Sequence, residues 1–374
     1  MGPRKNLALA ILTAILGYLG IIFLGGPVPV PWPDGTIWAP GPGVSPTPGF
    51  EPGRPVDQSI EGAIRVQSMV EDALFEIDQV LGLGVGWTAD GRTALRVFVE
   101  PGAVSMVPSR LGGLPVVVSE AGPFYAGVPE AVSAEADDNE LLPTSRFDRP
   151  VPVGISTGHL NSTAGTIGAV VTDGLETYAL SNWHVFVPAG QARVGDPLLQ
   201  PGPYDGGANP ADVIGTLAAF EPVKLSMFAN NRIDAAIART DQVSPFTPSN
   251  GYGTARSETM KARPGLRVQK YGRTTGHTFG QVESINTSIN VTYGSAGSQV
   301  ARFTGQVIIC CSFSAGGDSG SLIVAHDVDD EGDEGPNNRK PVALLFAGDR
   351  TRTIANPIDL VLDRFGVTIV EGER

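Results

Sequence analysis

Three short segments of this 374-residue chain carry residue types that together could hydrolyse an amide. A serine that cleaves an amide needs a base to take its hydroxyl proton, a carboxylate to orient that base, and two N–H donors for the oxyanion. The run Gly316-Gly317-Asp318-Ser319-Gly320-Ser321 supplies the hydroxyl. Gly317, lacking a Cβ, leaves its backbone free to turn, so that its N–H and that of Ser319 can face a developing oxyanion. The apolar SLIV from Ser321 makes a strand that would hold Ser319 rigidly. A GDSG run alone occurs in many turns, so its weight depends on partners.

The base must be His159, His184, His277 or His326. His184 sits in TYALSNWHVF, where a strand runs into a Ser/Asn corner and a histidine. Taken alone, such a histidine is more often structural, and its joint occurrence with GGDSGS changes that weighting. His277, in GRTTGHTFG, is a turn histidine that could line a substrate cleft. Asp234 stands in NRIDAAIAR among Ile233, Ala235, Ala236 and Ile237. A carboxylate inside such an apolar strand is costly unless hydrogen-bonded or paired, and an imidazole N–H is a fitting partner. An exposed edge-strand aspartate is the structural alternative, and Asp212 in NPADVIGTL is the rival carboxylate.

The elements around these residues read as mostly β. From Pro150 to Gly348 short Val/Ile/Leu/Ala/Thr-rich segments alternate with glycine and proline, among them TIGAVVTD, DVIGTLAAF, GQVESINTS, QVIICCSF and PVALLFAG, which suits a barrel or sandwich. NPIDLVLDRFG predicts a short terminal helix capped by Asn356 and ended by Gly366. Upstream, Ile60, Ala63, Ile64, Val70, Ala73, Leu74 and Ile77 recur at helical spacing. LGLGVGW and ALRVFVE then predict a hairpin, and PVVVSEAG a third strand. The expected organisation is a small α/β module over 56–125, an acidic linker over 126–149 and the β-rich unit over 150–374.

SNWHV, RIDAAIA and GGDSGSLI, in that order, resemble the His, Asp and Ser motifs of the trypsin/chymotrypsin-like serine peptidases. The wider pattern, with RPVPVGISTG, KYGRTTGHTFGQV and the terminal NPIDLVL, resembles the bacterial relatives of the plant narrow-leaf serine peptidases over roughly the last two-thirds of the chain. That resemblance implies two six-stranded β-barrels with a His184/Asp234/Ser319 triad in the cleft between them and an oxyanion hole of Gly317 and Ser319 N–H groups. It also implies a substrate pocket from Phe313, Phe346 and Gly348, with Phe313 favouring apolar or small side chains over Arg or Lys. The digestive members' disulfides have no counterpart here. TIGAVV is internal, so Asp318 is expected to find an Arg or backbone partner in place of a new amino terminus.

The beginning of the chain predicts location. Arg4 and Lys5 precede an almost wholly apolar run over 7–24, close to the ~20 residues that span a bilayer. Residues 1–25 are therefore expected to be an uncleaved, single-pass anchor with the peptidase extracytoplasmic, a cleaved signal and secretion being the alternative. The Pro-rich stretch 26–55 is a semi-extended tether. A net charge of -13 and the lack of a basic run exclude a nucleic-acid partner. The partners expected are a protein or peptide substrate and the membrane, with no cofactor.

Over 327–335 the spacing of Asp327, Asp329, Glu331 and Gly332 partly matches a calcium loop. Asn338 replaces its bidentate Glu, so a solvated acidic loop is the better reading and no metal is expected. Cys310 and Cys311 read as a buried apolar pair, since no CxxC spacing is present. The functional expectation is a serine endopeptidase. A catalytically silent binding or scaffolding protein of the same fold is the alternative, and an esterase is disfavoured because no G-x-S-x-G elbow leads into a helix.

Overall fold

The computed structural model describes residues 57–127, 130–131, 141–188, 191–294 and 299–373. The proposed anchor, the Pro-rich tether and residues 128–129 and 132–140 of the acidic linker lie outside these residues. Among the described residues no helix is long and apolar enough to cross a membrane.

The leading segment opens with helix α1 (Ile60–Leu74), where Ser59 Oγ accepts the Gly62 N–H at 3.0 Å as an N-cap. Its buried stripe of Ala63, Val66, Val70 and Leu74 packs on β1 (Val80–Trp87) and β2 (Thr93–Val99). The helix stops at Leu74, before the expected Ile77, and the chain turns there into β1. β1 and β2 form the expected antiparallel hairpin. A short bridge strand β3 (Arg110–Leu111) precedes β4 (Leu114–Glu120), which lies parallel to β2, and β5 (Phe124–Ala126) follows.

The next strands are β6 (Ser156–His159), β7 (Gly165–Thr166), β8 (Ala169–Thr172), β9 (Thr177–Ser181), β10 (Pro197–Leu199), β11 (Val213–Phe220) and β12 (Ala236–Arg239). They assemble in the order β8-β9-β12-β11-β10-β6-β7. Between β9 and β10 a one-turn helix α2 (Trp183–Phe186) carries His184.

The third group is β13 (Arg267–Gly272), β14 (Gly276–Tyr293), β15 (Gln299–Cys310), β16 (Leu322–Ala325), β17 (Pro341–Gly348) and β18 (Arg352–Pro357), followed by helix α3 (Ile358–Phe365) and β19 (Thr368–Ile369). The pairings β13-β16-β17-β18-β15-β14 return from β14 to β13, so this sheet closes into a ring of six antiparallel strands. The other sheet has eight strands because the two-residue strands β7 and β19 are added to it, and no closing pair joins its ends among the described residues. The expectation of two six-stranded barrels is thus met in count by the C-terminal ring only.

The 18-residue β14 serves several partners along one flank. Residues 276–281 pair with β13, 284–289 with β1, and 291–293 with β5. The leading segment is therefore continuous with the C-terminal ring through one sheet. Register shifts along β14 and the positive φ of Asn286 bend the strand from one partner to the next.

Two sequence expectations are corrected. Asn356 does not cap α3: it lies within β18, Pro357 ends that strand and takes the cap position, and the Asn356 side chain is used elsewhere. Cys310 and Cys311 are not a buried apolar pair. They are joined to each other by a disulfide, with Cys310 half-buried and Cys311 exposed where the chain leaves β15.

Candidate active site

The register of β9 on β12 sets Ser181 opposite Ala236. Asp234, two residues before β12, therefore comes level with the start of α2, just past β9. Asn182 fastens the corner by donating from Nδ2 to the Asp234 carbonyl at 2.8 Å. His184 Nδ1 then lies 2.8 Å from Asp234 Oδ2, and the His184 backbone N–H reaches Oδ1 at 3.3 Å. Asp234 is fully buried, as its apolar flanks required, although it stands just before the strand and not within it.

Two residues that the sequence did not single out complete this carboxylate's surroundings. Tyr293, at the end of β14, donates its hydroxyl to Asp234 Oδ2 at 2.6 Å. Burial, and then the neighbouring Asp234 charge, push the Tyr293 phenol well above its ordinary pKa, so the proton stays on Tyr293. Asn356 Oδ1 accepts the Asp234 N–H at 3.1 Å while its Nδ2 donates to the Asp234 carbonyl at 3.1 Å. The carboxylate only accepts, so the network assigns the imidazole proton to Nδ1 and leaves Nε2 a bare acceptor. His184 Nε2 is buried and without a partner among the described residues.

Ser319 lies in the turn before β16 and is 7% exposed. Its Oγ donates to the Phe346 carbonyl of β17 at 3.4 Å. The turn is pressed against the His184 corner. A Cβ added to Gly165 would fall 2.4 Å from Val185 Cγ2 and 2.9 Å from the Ser319 carbonyl oxygen, which shows how closely the two segments approach. The Thr166 N–H donates to that same carbonyl at 2.7 Å. No hydrogen bond links Ser319 Oγ to His184 Nε2 in this state, as is common before a substrate tightens such contacts.

Gly317 has a φ of 102°, a left-handed conformation that side chains resist, and a Cβ there would meet Thr274 Oγ1 at 2.5 Å. Its carbonyl is held by Thr166 Oγ1 at 3.0 Å. Among the described residues neither the Gly317 nor the Ser319 N–H donates a hydrogen bond within the protein. Both remain available as paired donors beside Ser319 Oγ.

Asp318, fully buried, holds the turn. It accepts from the N–H groups of Thr274 at 2.8 Å and Ala315 at 3.0 Å and from Thr275 Oγ1 at 2.6 Å, with Lys270 Nζ 3.3 Å away. Burial alone would raise this carboxyl, but Lys270 and these donors hold it below the ordinary 3.8. The expected backbone partners are present, and the cation is a lysine and not an arginine. Lys270→Met is expected to cost about 3–5 kcal/mol at neutral pH by stranding a buried carboxylate. A depressed folded pKa gives stability that is full above 3.8 and lost as the pH falls. The gap between wild type and variant in urea unfolding should therefore narrow in acid, and a gap independent of pH would contradict this account.

Ser319 opens on a cleft of about 840 Å³ whose walls include Ser314, Ala315, Ala347 and Gly348. Of the expected pocket residues, Gly348 lines it. Phe313 and Phe346 are fully buried with their rings in the core, Phe346 against Phe303 at 4.6 Å between centroids. Phe346 bonds Ser319 only through its carbonyl, and the cleft wall mixes small residues with larger and charged ones such as Tyr125, Leu345 and Arg350.

The remaining candidates lie elsewhere. His159 is buried and bonded to Asp196 at 3.2 Å. His277 Nε2 bonds Gln269 Oε1 at 2.9 Å beside a separate cavity of about 450 Å³ that it shares with His326, so it does not line the Ser319 cleft. Asp212 takes a two-pronged bond from Arg146 at 2.5 and 2.6 Å and the Ala208 N–H at 2.8 Å, away from any histidine. In the acidic loop Asp329 Oδ1 accepts the Glu331 and Asp333 N–H groups at 3.2 and 2.8 Å, and Asp327 Oδ2 accepts that of Asn337 at 3.0 Å.

No protein-family model matches the sequence. No curated protein matches it either. Among solved structures, protease A of Thermobifida fusca is similar over 59% of this chain and 99% of its own, at 20% identity and a TM-score of 0.40. A glutamic acid-specific serine protease, described as using a histidine triad in substrate binding, is similar over 59% of this chain and 100% of its own, at 22% identity and a TM-score of 0.40. The chymotrypsin of Cellulomonas bogoriensis is similar over 59% and 99%, at 20% identity and a TM-score of 0.39.

Proposed function

We propose that this chain is a serine endopeptidase in which Ser319 is the nucleophile, His184 the general base and acid, and Asp234 the group that orients His184. The observation that carries the reading is the buried His184–Asp234 bond at 2.8 Å, which leaves Nε2 buried and unpartnered among the described residues. In the proposed reaction Nε2 takes the Ser319 proton as Oγ attacks the peptide carbonyl, and the Gly317 and Ser319 N–H groups stabilise the oxyanion. His184 returns the proton to the leaving amine, and water releases the acyl group by the same route. A preference for apolar or small residues on the acyl side belongs to the proposal, with Ser314, Ala315, Ala347 and Gly348 among the cleft lining.

The motif pattern supports placement with the bacterial relatives of the plant narrow-leaf peptidases, and the apolar run over 7–24 supports an extracytoplasmic, membrane-tethered enzyme. Exposure to a fluorophosphonate followed by peptide mapping tests the catalytic reading, with a stoichiometric adduct on Ser319 expected. An unlabelled Ser319 in a protein that also leaves a random peptide pool intact would favour the silent scaffold.

Tyr293→Phe is a milder test of the same assembly. It removes one hydrogen bond to a buried carboxylate, worth about 1.5–3 kcal/mol, so kcat should fall roughly tenfold or more with the His184–Asp234 bond still formed. An unchanged kcat would remove Tyr293 from the orienting network.

A further inference from the structure

Four consecutive carbonyls around Ser319 are each held by a donor, and this fixes which way the intervening N–H groups face. The Gly316 carbonyl accepts from Thr274 Oγ1 at 2.8 Å and from the Glu130 N–H at 2.7 Å. The Gly317 carbonyl accepts from Thr166 Oγ1 at 3.0 Å. The Asp318 carbonyl accepts the Ser321 N–H at 2.9 Å and Ser321 Oγ at 2.7 Å, and the Ser319 carbonyl accepts the Thr166 N–H at 2.7 Å. None of these peptides is among the cis bonds of the described residues. In a trans peptide the N–H points opposite to the C=O of the same plane. The Gly316 carbonyl therefore sets the direction of the Gly317 N–H, and the Asp318 carbonyl that of the Ser319 N–H, the two donors proposed for the oxyanion.

The Ser319 donor is held from within its own turn, by a residue two positions on. The Gly317 donor depends on groups from elsewhere. Its peptide has a glycine on either side, so no Cβ resists rotation, and turned over it would present a carbonyl oxygen to a developing negative charge. The hydroxyl that opposes this belongs to Thr274, fully buried in the turn between β13 and β14. A threonine has one hydroxyl proton to give, and Arg273 decides where it goes. Arg273 Nη1 donates to Thr274 Oγ1 at 3.0 Å, and the Arg273 backbone N–H donates to Thr166 Oγ1 at 3.1 Å. Neither of those nitrogens can accept, so both threonine hydroxyls turn their own protons to the Gly316 and Gly317 carbonyls. Arg273, itself buried, is fixed by Asp205, to which it donates from Nε at 2.9 Å and Nη2 at 2.5 Å. Asp205 follows β10, so the turn bearing Ser319 is tied to the unit that carries His184.

We propose that Thr274 is a positioning residue of the oxyanion hole, aimed by Arg273, whose hydroxyl keeps the Gly316–Gly317 peptide turned so that the Gly317 N–H is preformed as a donor. The inference rests on the proposed endopeptidase reading and adds to it a residue that acts through another. The oxyanion exists only as the reaction proceeds, so the contribution of Thr274 belongs to kcat and not to the binding of substrate.

The test compares the full chain as wild type, Thr274→Val and Thr274→Ser. Valine keeps the shape and removes the hydroxyl. Gly316 and Arg273 each retain a bond to the Glu130 backbone, so the fold should survive, and urea unfolding checks that it does. Should the valine variant unfold, Thr274→Ala makes the same comparison. Peptide hydrolysis gives kcat and KM, and inhibition by a peptide boronic acid, whose tetrahedral adduct on Ser319 places an oxygen where the oxyanion forms, reads the hole directly. Thr274→Val should lose roughly ten- to a hundredfold in kcat, less than the about 10²–10³ that follows outright loss of an oxyanion donor, because the Glu130 N–H still holds Gly316. KM should stay within about twofold, the boronic acid should weaken by the same factor as kcat, and Thr274→Ser should restore both. A folded Thr274→Val with wild-type kcat and boronic acid affinity overturns the positioning role and leaves the peptidase reading standing. A loss that falls on KM alone, or that Thr274→Ser shares in full, also overturns it and makes Thr274 a packing residue. A wild type that neither cleaves peptides nor takes the boronic acid overturns the peptidase reading and the role of Thr274 with it.

Discussion

Ser319→Ala is expected to lower peptide hydrolysis by about 10⁶-fold in kcat, the loss seen when a serine nucleophile is removed from a triad that works as a unit. Activity should not fall to that of water, because the free Gly317 and Ser319 N–H groups still stabilise the oxyanion and leave roughly 10³–10⁴-fold catalysis. Folding should survive. The Oγ makes one long bond, at 3.4 Å to Phe346, and the alanine methyl fills the same space. Single-turnover hydrolysis of a peptide ester, with urea unfolding alongside, measures both. Near-wild-type turnover would move the nucleophile away from Ser319.

Asp234→Asn should lower kcat by about 10⁴-fold, since an amide in this place can present an N–H to His184 and hold the imidazole in the opposite tautomer. The structure sharpens the expectation. Asp234 Oδ2 accepts from both His184 Nδ1 and the Tyr293 hydroxyl, and Oδ1 from the His184 N–H, so every neighbour of the carboxylate is a donor. Whichever way the asparagine turns, its NH₂ meets a donor. Asp212→Asn is the control. It should leave kcat unchanged and cost stability through the Arg146 and Ala208 bonds. If the Asp212 variant lost the activity instead, the orienting role would pass to Asp212.

The parts of the site that were legible in the sequence are those whose signal is local. GGDSGSLI, SNWHV and RIDAAIA each hold the chemistry and the strand that positions it within a few residues, and it is their joint occurrence in this order that makes them stand out. Tyr293 and Asn356 act on Asp234 from 59 and 122 residues away, and no local pattern ties either of them to that carboxylate. Asn356 even carries a misleading local signal, because Asn before Pro at a helix start reads as a cap while its side chain is drawn to the Asp234 backbone. Phe313 shows the same effect. Its distance from Ser319 marks a pocket by resemblance, yet a phenyl ring gains more in the core beneath β14 and β15 than beside solvent, and Ser314 and Ala315 meet the cleft instead. β5 was hidden for a different reason. A three-residue strand has no periodicity, and it exists only because β17 and β14 offer it two edges.

The flank of β14 bears on how this protein can be divided. Residues 284–293 of that strand are matched by β1 and β5, and Phe98 and Phe124 from the leading segment lie in the same apolar cluster as Phe303 and Phe346. A gene fragment starting at Pro150 would encode a sheet with one raw flank and an uncovered aromatic face, the arrangement that recruits other chains edge to edge. Such a fragment should precipitate or multimerise where the longer chain does not. The leading segment is thus part of the same sheet, and a mutation that unseats it is expected to be transmitted through β14 to Tyr293 and the carboxylate that Tyr293 holds.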